Sequence, residues 1–341
     1  MLKKIAFCLA FSLAFLQGRV ILDGYGEKVN LPDKVERASP MTGGILQIAV
    51  ALGNGDKIIS GAYRGLYPMM LKVFPKIRTT GFRGGSLGAS VETLIASNTQ
   101  VVFGPASVLF DDNVKKQLEN AGIAVVRLSD KFSTADEVKD CVAKIAEIFG
   151  DESVKRAREF NAYFDSNIAF VKSRISKNAA VKRVLVLNLN AGNFSGIAQN
   201  FIGAAYIRAA GGENLSASLM NSWGSHPNLS EEQVIVYDPD IIITNSKESR
   251  ENILKNRTFK QLKAVRERQI FVQPRGVSYF WTGTEGALQV LWLAKILHPN
   301  EFKDLDMRAK VREFYAKFYR YDLSEGELDE IFDTKERARL Y

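Results

Sequence analysis

The chain writes one structural unit twice. "SVETLIASNTQVVFG" begins at Ser90 and "SEEQVIVYDPDIIIT" begins at Ser230. Each copy opens on Ser, places Glu two residues later, continues through apolar residues and a polar break, and closes in a β-branched run. The acids Glu92 and Glu232 stand 140 positions apart (232 − 92). Ser is a favoured helix N-cap, and an acid in the first turn complements the helix dipole by about 0.3–1 kcal/mol. Each copy therefore reads as a short helix feeding a strand. That local role explains one acid by itself; the recurrence of both predicts two halves of like architecture. A length of 341 residues agrees, being long for one core and suited to two domains.

The rest of the chain alternates in the same way. β-Rich runs fall at 57–60, 100–104, 124–128, 183–189, 234–244 and 270–274, with helix-like stretches between them. "DDNVKKQLENAG" is one such stretch, acidic at its start and stopped at Gly122. Strands alternating with helices predict parallel α/β sheets. One segment departs from this rhythm. From Asp151 to about Lys177 there is no Gly or Pro, and Ala157, Phe160, Phe164, Ile168, Val171 and Ile175 recur at helical spacing. This predicts a helix of about 25 residues, roughly 37 Å long at 1.5 Å per residue. Lying midway between the two copies, it either joins two lobes at nearly fixed separation or is an ordinary long surface helix.

Lys3 and Lys4 precede a short apolar run, Ile5 to Leu16, which reads as an export signal too short to span a bilayer. Its removal near Gln17–Gly18 takes Cys8 with it and leaves Cys141 as the sole cysteine, so no intramolecular disulfide is expected. Hydrophobic and charged contents of 46% and 25% are those of a soluble globular protein. The net charge of +8 is scattered, without the Lys/Arg block of a nucleic-acid binder.

"TTGFRGGSLGASVETLIASNTQVVFG", the long helix and "AAGGENLSASL…SEEQVIVYDPDIIIT" together resemble the periplasmic substrate-binding proteins of bacterial ABC importers for iron–siderophore complexes, haem and cobalamin. The resemblance covers nearly all of the mature chain. It implies two Rossmann-like α/β lobes bridged by one long α-helix: a signal peptide at 1–18, an N-terminal lobe at 19–150, a connecting helix at 151–178 and a C-terminal lobe at 179–341. It implies a periplasmic, monomeric receptor that holds a small-molecule metal chelate between the lobes and delivers it to an ABC permease dimer. It also implies that Glu92 and Glu232, one per lobe, dock onto basic residues of that permease, with Glu231 left open as a neighbour.

In open α/β sheets the ligand crevice lies beyond the carboxyl ends of the strands. The loops there offer Tyr63, Arg64, Tyr67, Asn193, Phe194, Arg275, Tyr279 and Trp281. Arg suits an anionic complex, and aromatic faces suit catecholate or porphyrin rings. In siderophore binders of the resembled family, a His in the loop matching "NSWGSHPN" and a Tyr in the loop matching "VSYFW" complete ferric coordination, which assigns metal ligation to His226 and Tyr279. The other histidine, His298, ends a helix before Pro299 and reads as a capping or surface residue. No intrinsic cofactor is expected; iron, bound as part of the transported chelate, is the leading metal. Nickel–histidine, haem, cobalamin and molybdate remain alternatives. No phosphate loop, nucleophile elbow or zinc motif appears, and a secreted hydrolase or chelatase using His226 as base lacks a nucleophile and an orienting acid.

Overall fold

The computed structural model describes residues 18–61, 68–78, 90–108, 111–176, 179–190, 192–199, 201–219, 226–281 and 283–332. The expected export signal, the "GFRGGSLG" stretch and the candidates Tyr63, Arg64 and Tyr67 lie outside the described residues.

The first half opens on a hairpin, β1 (Arg19–Leu22) against β2 (Lys28–Leu31). Its sheet is parallel, with β3 (Ala38–Pro40), β4 (Val101–Pro105) and β5 (Ala124–Leu128) side by side in that order. Ile58 adds a single parallel bridge to Ala38 at the far edge. Four successive β4 residues, Val101 to Gly104, are buried, as a strand covered on both faces requires.

The second half carries β6 (Lys182–Val186), an excursion through β7 (Asn188–Asn190) and β8 (Asn193–Ser195), then β9 (Gly212–Asn214), β10 (Asn228–Leu229), β11 (Ile241–Thr244) and β12 (Ile270–Val272). The parallel order is β12-β11-β6-β9, and β7, β8 and β10 form a small antiparallel sheet beside it. With the Ile58 bridge counted as a strand position, both parallel sheets run 2-1-3-4 in order of sequence. The two halves share one topology.

The repeat is equally plain locally. Ser90 and Ser230 cap the helices Val91–Ala96 and Glu231–Tyr237, accepting from the amides of Thr93 (3.3 Å) and Gln233 (3.2 Å). Past the helix ends Asn98 and Asp238 both adopt left-handed backbone, φ 50° and 34°, and the strands then begin at Val101 and Ile241. The capping serines, the left-handed residues and the strand starts all recur at the same 140-residue offset. The structure also trims the sequence reading. Residues 234–237 of the β-branched run are helical, because Asp238–Pro239 stops the helix there and only 241–244 pair. Run 183–189 divides between β6 and β7, and run 57–60 contributes only its bridge. Replacing Ser90 or Ser230 with Ala removes a cap and is expected to cost about 1 kcal/mol, read as a shift in the thermal midpoint.

The central helix runs Asp151–Arg174, somewhat short of the expected end, because the backbone turns extended at Ile175. It packs on the helix Ala135–Phe149 of the first lobe and on Gly286–Leu297 of the second. Asn167 donates to the Ala287 carbonyl at 2.7 Å within the buried seam. Phe160 and Phe164 are buried along one side, with rings against Phe314, Phe318 and Tyr206. One apolar core thus passes from lobe to lobe through this helix. The C-terminal elements Met307–Phe314, Tyr315–Tyr319 and Glu325–Phe332, grouped with the second lobe from the sequence, reach back to the first. Arg156 donates to the carbonyls of Ala51 (2.8 Å) and Phe318 (3.0 Å), and Lys72 pairs with Glu327 at 3.1 Å. Such a brace opposes wide hinge motion between the lobes. Cys141 is buried in Ala135–Phe149, and burial pushes its thiol up to about 12, so it has no nucleophilic character.

Candidate functional site

The carboxyl edges of the two sheets define where a solute can lie. On the first lobe they present Pro105, Ala106 and Ser107 after β4. There Asp130 accepts from the Ser107 amide and hydroxyl and from the Tyr25 hydroxyl. On the second lobe they present amides. Asn188 beyond β6 accepts from the Asn245 amide at 2.9 Å, and Gln273 beyond β12 donates to the Asn245 side chain. Gln273 is fully buried, and its Oε1 has no hydrogen-bond partner among the described residues. Asn245 stands in the loop after the "IIIT" run, where the sequence places the crevice; Asn188 and Gln273 escaped the sequence reading, since a side-chain amide at a strand end carries no motif.

After β12 the chain makes a tight turn between the lobes. The Gly276 amide donates to the Ser278 carbonyl at 2.9 Å, Arg275 bridges Tyr279, and the Arg275 amide donates to Ile331 at 2.9 Å. From the first lobe Gln47, on helix Gly43–Ala51, donates to the Val277 carbonyl at 3.1 Å. The Arg275 guanidinium lies over the Tyr279 ring, 5.9 Å from its centroid. Arg275 is half-buried and Tyr279 is mostly covered. Below the turn sits Glu285, wholly buried, which no sequence motif marked. It accepts from the Ser278 amide (2.8 Å), the Val277 amide (3.3 Å) and the Tyr315 hydroxyl (2.5 Å). Burial raises its carboxyl to about 7 against the pull of those donors.

The other candidates divide. His226 packs its ring on Phe201 at 5.4 Å, with Nδ1 3.3 Å from the Gly196 carbonyl. A carbonyl only accepts, so Nδ1 carries the proton and Nε2 keeps its lone pair. Loss of water around the ring lowers the His226 pKa, opposed by the Gly196 bond, and so favours the neutral imidazole. Trp281 and Phe201 both crowd Gly203 in the first turn of the helix Ile202–Ala209. Trp281 is itself 3% exposed and packed as core, with its indole N–H unpartnered among the described residues. Phe194 is a correction: its ring lies in the core of the second sheet against Phe259 (5.1 Å) and not in the crevice, because β8 turns it inward. Asn193, beside it, is exposed. His298 does cap a helix end as expected, but it is buried and bonded to Ala210 O at 3.0 Å, not on the surface.

Glu92 and Glu232 hold the same place in both lobes, second in a helix of one or two turns and fully exposed. Each carboxylate is held below its usual range by its own helix-end amide and then by the capping Ser. A helix feeding a parallel strand runs antiparallel to it, so both acids lie toward the carboxyl edges of their sheets. Glu231 is engaged by Asn256 at 2.9 Å; of the adjacent pair, Glu232 is the exposed equivalent of Glu92.

Two lobes of one parallel topology, joined by a braced helix, have the architecture of a two-lobed solute-binding protein. Residues 83–275 match the periplasmic binding protein family, and the chain belongs to it. It is 25% identical to the molybdate-binding protein MolA of Haemophilus influenzae, over 92% of this chain and 95% of that one. Among solved structures, a periplasmic solute-binding protein from Veillonella parvula superposes with a TM-score of 0.78 at 21% identity, covering 92% and 97% of the two chains. Molybdate-bound MolA does so at 0.75 and 23%, covering 90% and 99%. These likenesses establish the helix-bridged fold, and membership of a family of solute-binding proteins bears out the expectation of a receptor and not an enzyme.

Proposed function

We propose that the protein captures a negatively charged metal chelate, a ferric siderophore first, in the crevice between its lobes and delivers it to an ABC permease dimer. Residues 1–18 direct export to the periplasm, where it acts as a monomer. The observation that carries the ligand class is His226, an imidazole tethered at Nδ1 whose Nε2 bonds to none of the described residues. A tethered ring loses less freedom on binding metal and keeps its tautomer fixed. Arg275 supplies the positive charge, and Tyr279, beneath it, a phenolate donor suited to Fe(III). Metal and chelator are cargo, and the chain's part is to complete and shield the complex. A second reading is a bare oxyanion, favoured by MolA, whose likeness spans nearly the whole chain.

Tryptophan-fluorescence titration decides between them. The panel is a ferric tetradentate catecholate, a ferric hexadentate catecholate, haem, cobalamin, nickel with histidine, and molybdate. Saturable one-to-one binding of the tetradentate ferric complex is expected. His226→Ala should weaken it at least tenfold, about 1.4 kcal/mol. Binding of molybdate alone, unaffected by His226→Ala, replaces the first reading with the second.

A further inference from the structure

The turn 275–279 rests on one carboxylate. Glu285 comes from the short helix Gly283–Glu285, and its two oxygens receive the Ser278 amide, the Val277 amide and the Tyr315 hydroxyl. The Val277 amide also reaches the Tyr315 oxygen at 2.9 Å, so carboxylate, phenol and turn close a small ring of hydrogen bonds. The fit leaves no slack: a Cβ at Gly276 would overlap both Glu285 Oε1 and the Tyr315 hydroxyl. Three elements converge on this turn. Gln47 holds it from the first lobe, Tyr315 from the C-terminal segment and Glu285 from the second lobe. The titratable groups that face Glu285 are Tyr315 and, through Thr284, Tyr319; both phenols are pushed well above their ordinary range by burial.

We infer that Glu285 is a positioning residue for solute binding: its carboxylate fixes the backbone of 276–278 and thereby the placement of Arg275 and Tyr279. The inference rests on the proposal that this turn grips the solute. Glu285 touches no solute itself. Without its acceptor oxygens the buried Ser278 amide loses its 2.8 Å acceptor and the Val277 amide keeps only the Tyr315 oxygen among its acceptors here, and the turn relaxes toward water. The residues above it then sample several orientations, and a bound solute escapes faster.

Hydrogen exchange on the ligand-free full chain tests this directly. Glu285→Leu is expected to lower protection of the Val277 and Ser278 amides at least tenfold while β11 amides Ile241–Thr244 keep theirs. Glu285→Gln, which retains one acceptor oxygen, should restore most of the Ser278 protection. Tyr315→Phe serves if the Leu variant fails to fold, with loss confined to Val277. Stopped-flow dissociation of the ferric tetradentate catecholate should quicken at least tenfold in the Leu variant with association unchanged. Unchanged protection at Val277 and Ser278, or an equal loss across β11, overturns the inference. So does looser exchange with an unaltered dissociation rate. A wild-type chain that binds none of the panel sinks the ligand proposal instead, and the exchange result still decides whether Glu285 holds the turn.

Discussion

Replacing both Glu92 and Glu232 with Ala is expected to cut solute uptake by ~10²–10⁴-fold while leaving solute affinity within about twofold of wild type. The magnitude follows from charge-assisted hydrogen bonds worth about 1.5–3 kcal/mol each, two of which are lost together. Unchanged affinity follows from their setting: both side chains are exposed at helix starts and neither touches the turn at 275–279. Each single variant should fall between, because a two-fold permease would lose one anchor and keep the other. Exposed aliphatic side chains lie one turn along the same helix faces, Ile95 after Glu92 and Val236 after Glu232, where a docked permease would meet an apolar surface beside each acid. The measurement is solute uptake in cells carrying the permease, with affinity of the purified variant measured in parallel. Normal uptake by the double variant would remove these acids from the docking surface.

The second large effect is on stability against pH. Glu285 is fully buried, and its carboxyl is raised from about 4.5 to about 7 in the folded chain. The folded state therefore binds a proton that the unfolded state has released between those values. Stability contributed by the protonated form is fully present below about 4.5 and is lost as pH rises through about 7. The expected loss between pH 4.5 and 8 is about 3 kcal/mol from this group, at roughly 1.4 kcal/mol per pH unit of displacement. Glu285→Gln stays neutral throughout and should flatten this part of the profile. Urea unfolding at pH 5, 6.5 and 8 measures it. An identical pH profile for wild type and the Gln variant would show that Glu285 is ionised in the folded chain at all three values.

Much of the architecture was legible in the chain itself. Ser90–Glu92 and Ser230–Glu232 announced two like units because capping and helix-dipole chemistry act within a few residues and leave their mark locally. The central helix was legible for the same reason, as its apolar stripe from Ala157 to Val171 follows the helical period. The boundaries were less so. The run at 234–237 has strand-like composition, yet the helix capped at Ser230 continues through it to the Asp–Pro stop. Phe194 reads from the sequence as a loop aromatic; pairing of β8 with β7 and β10 decides that it faces the core.

The site divides along the same line. Arg275 and Tyr279 could be nominated from the chemistry of their loop, and His226 only from the resemblance of its loop to that of siderophore binders. Glu285 and Gln47 could not. Glu285 reads as an ordinary helix-start acid in "TGTEGALQ", and Gln47 as a polar residue inside an apolar helix. Their roles arise from partners at Tyr315 and Val277, the second of them 230 residues away from Gln47. The sequence by itself determined the duplicated lobes, the helix between them and the matched acids, because each rests on short-range periodicity and capping. Only the tertiary structure decided which polar groups lose water and must find one another, because burial is a property of the whole packed chain.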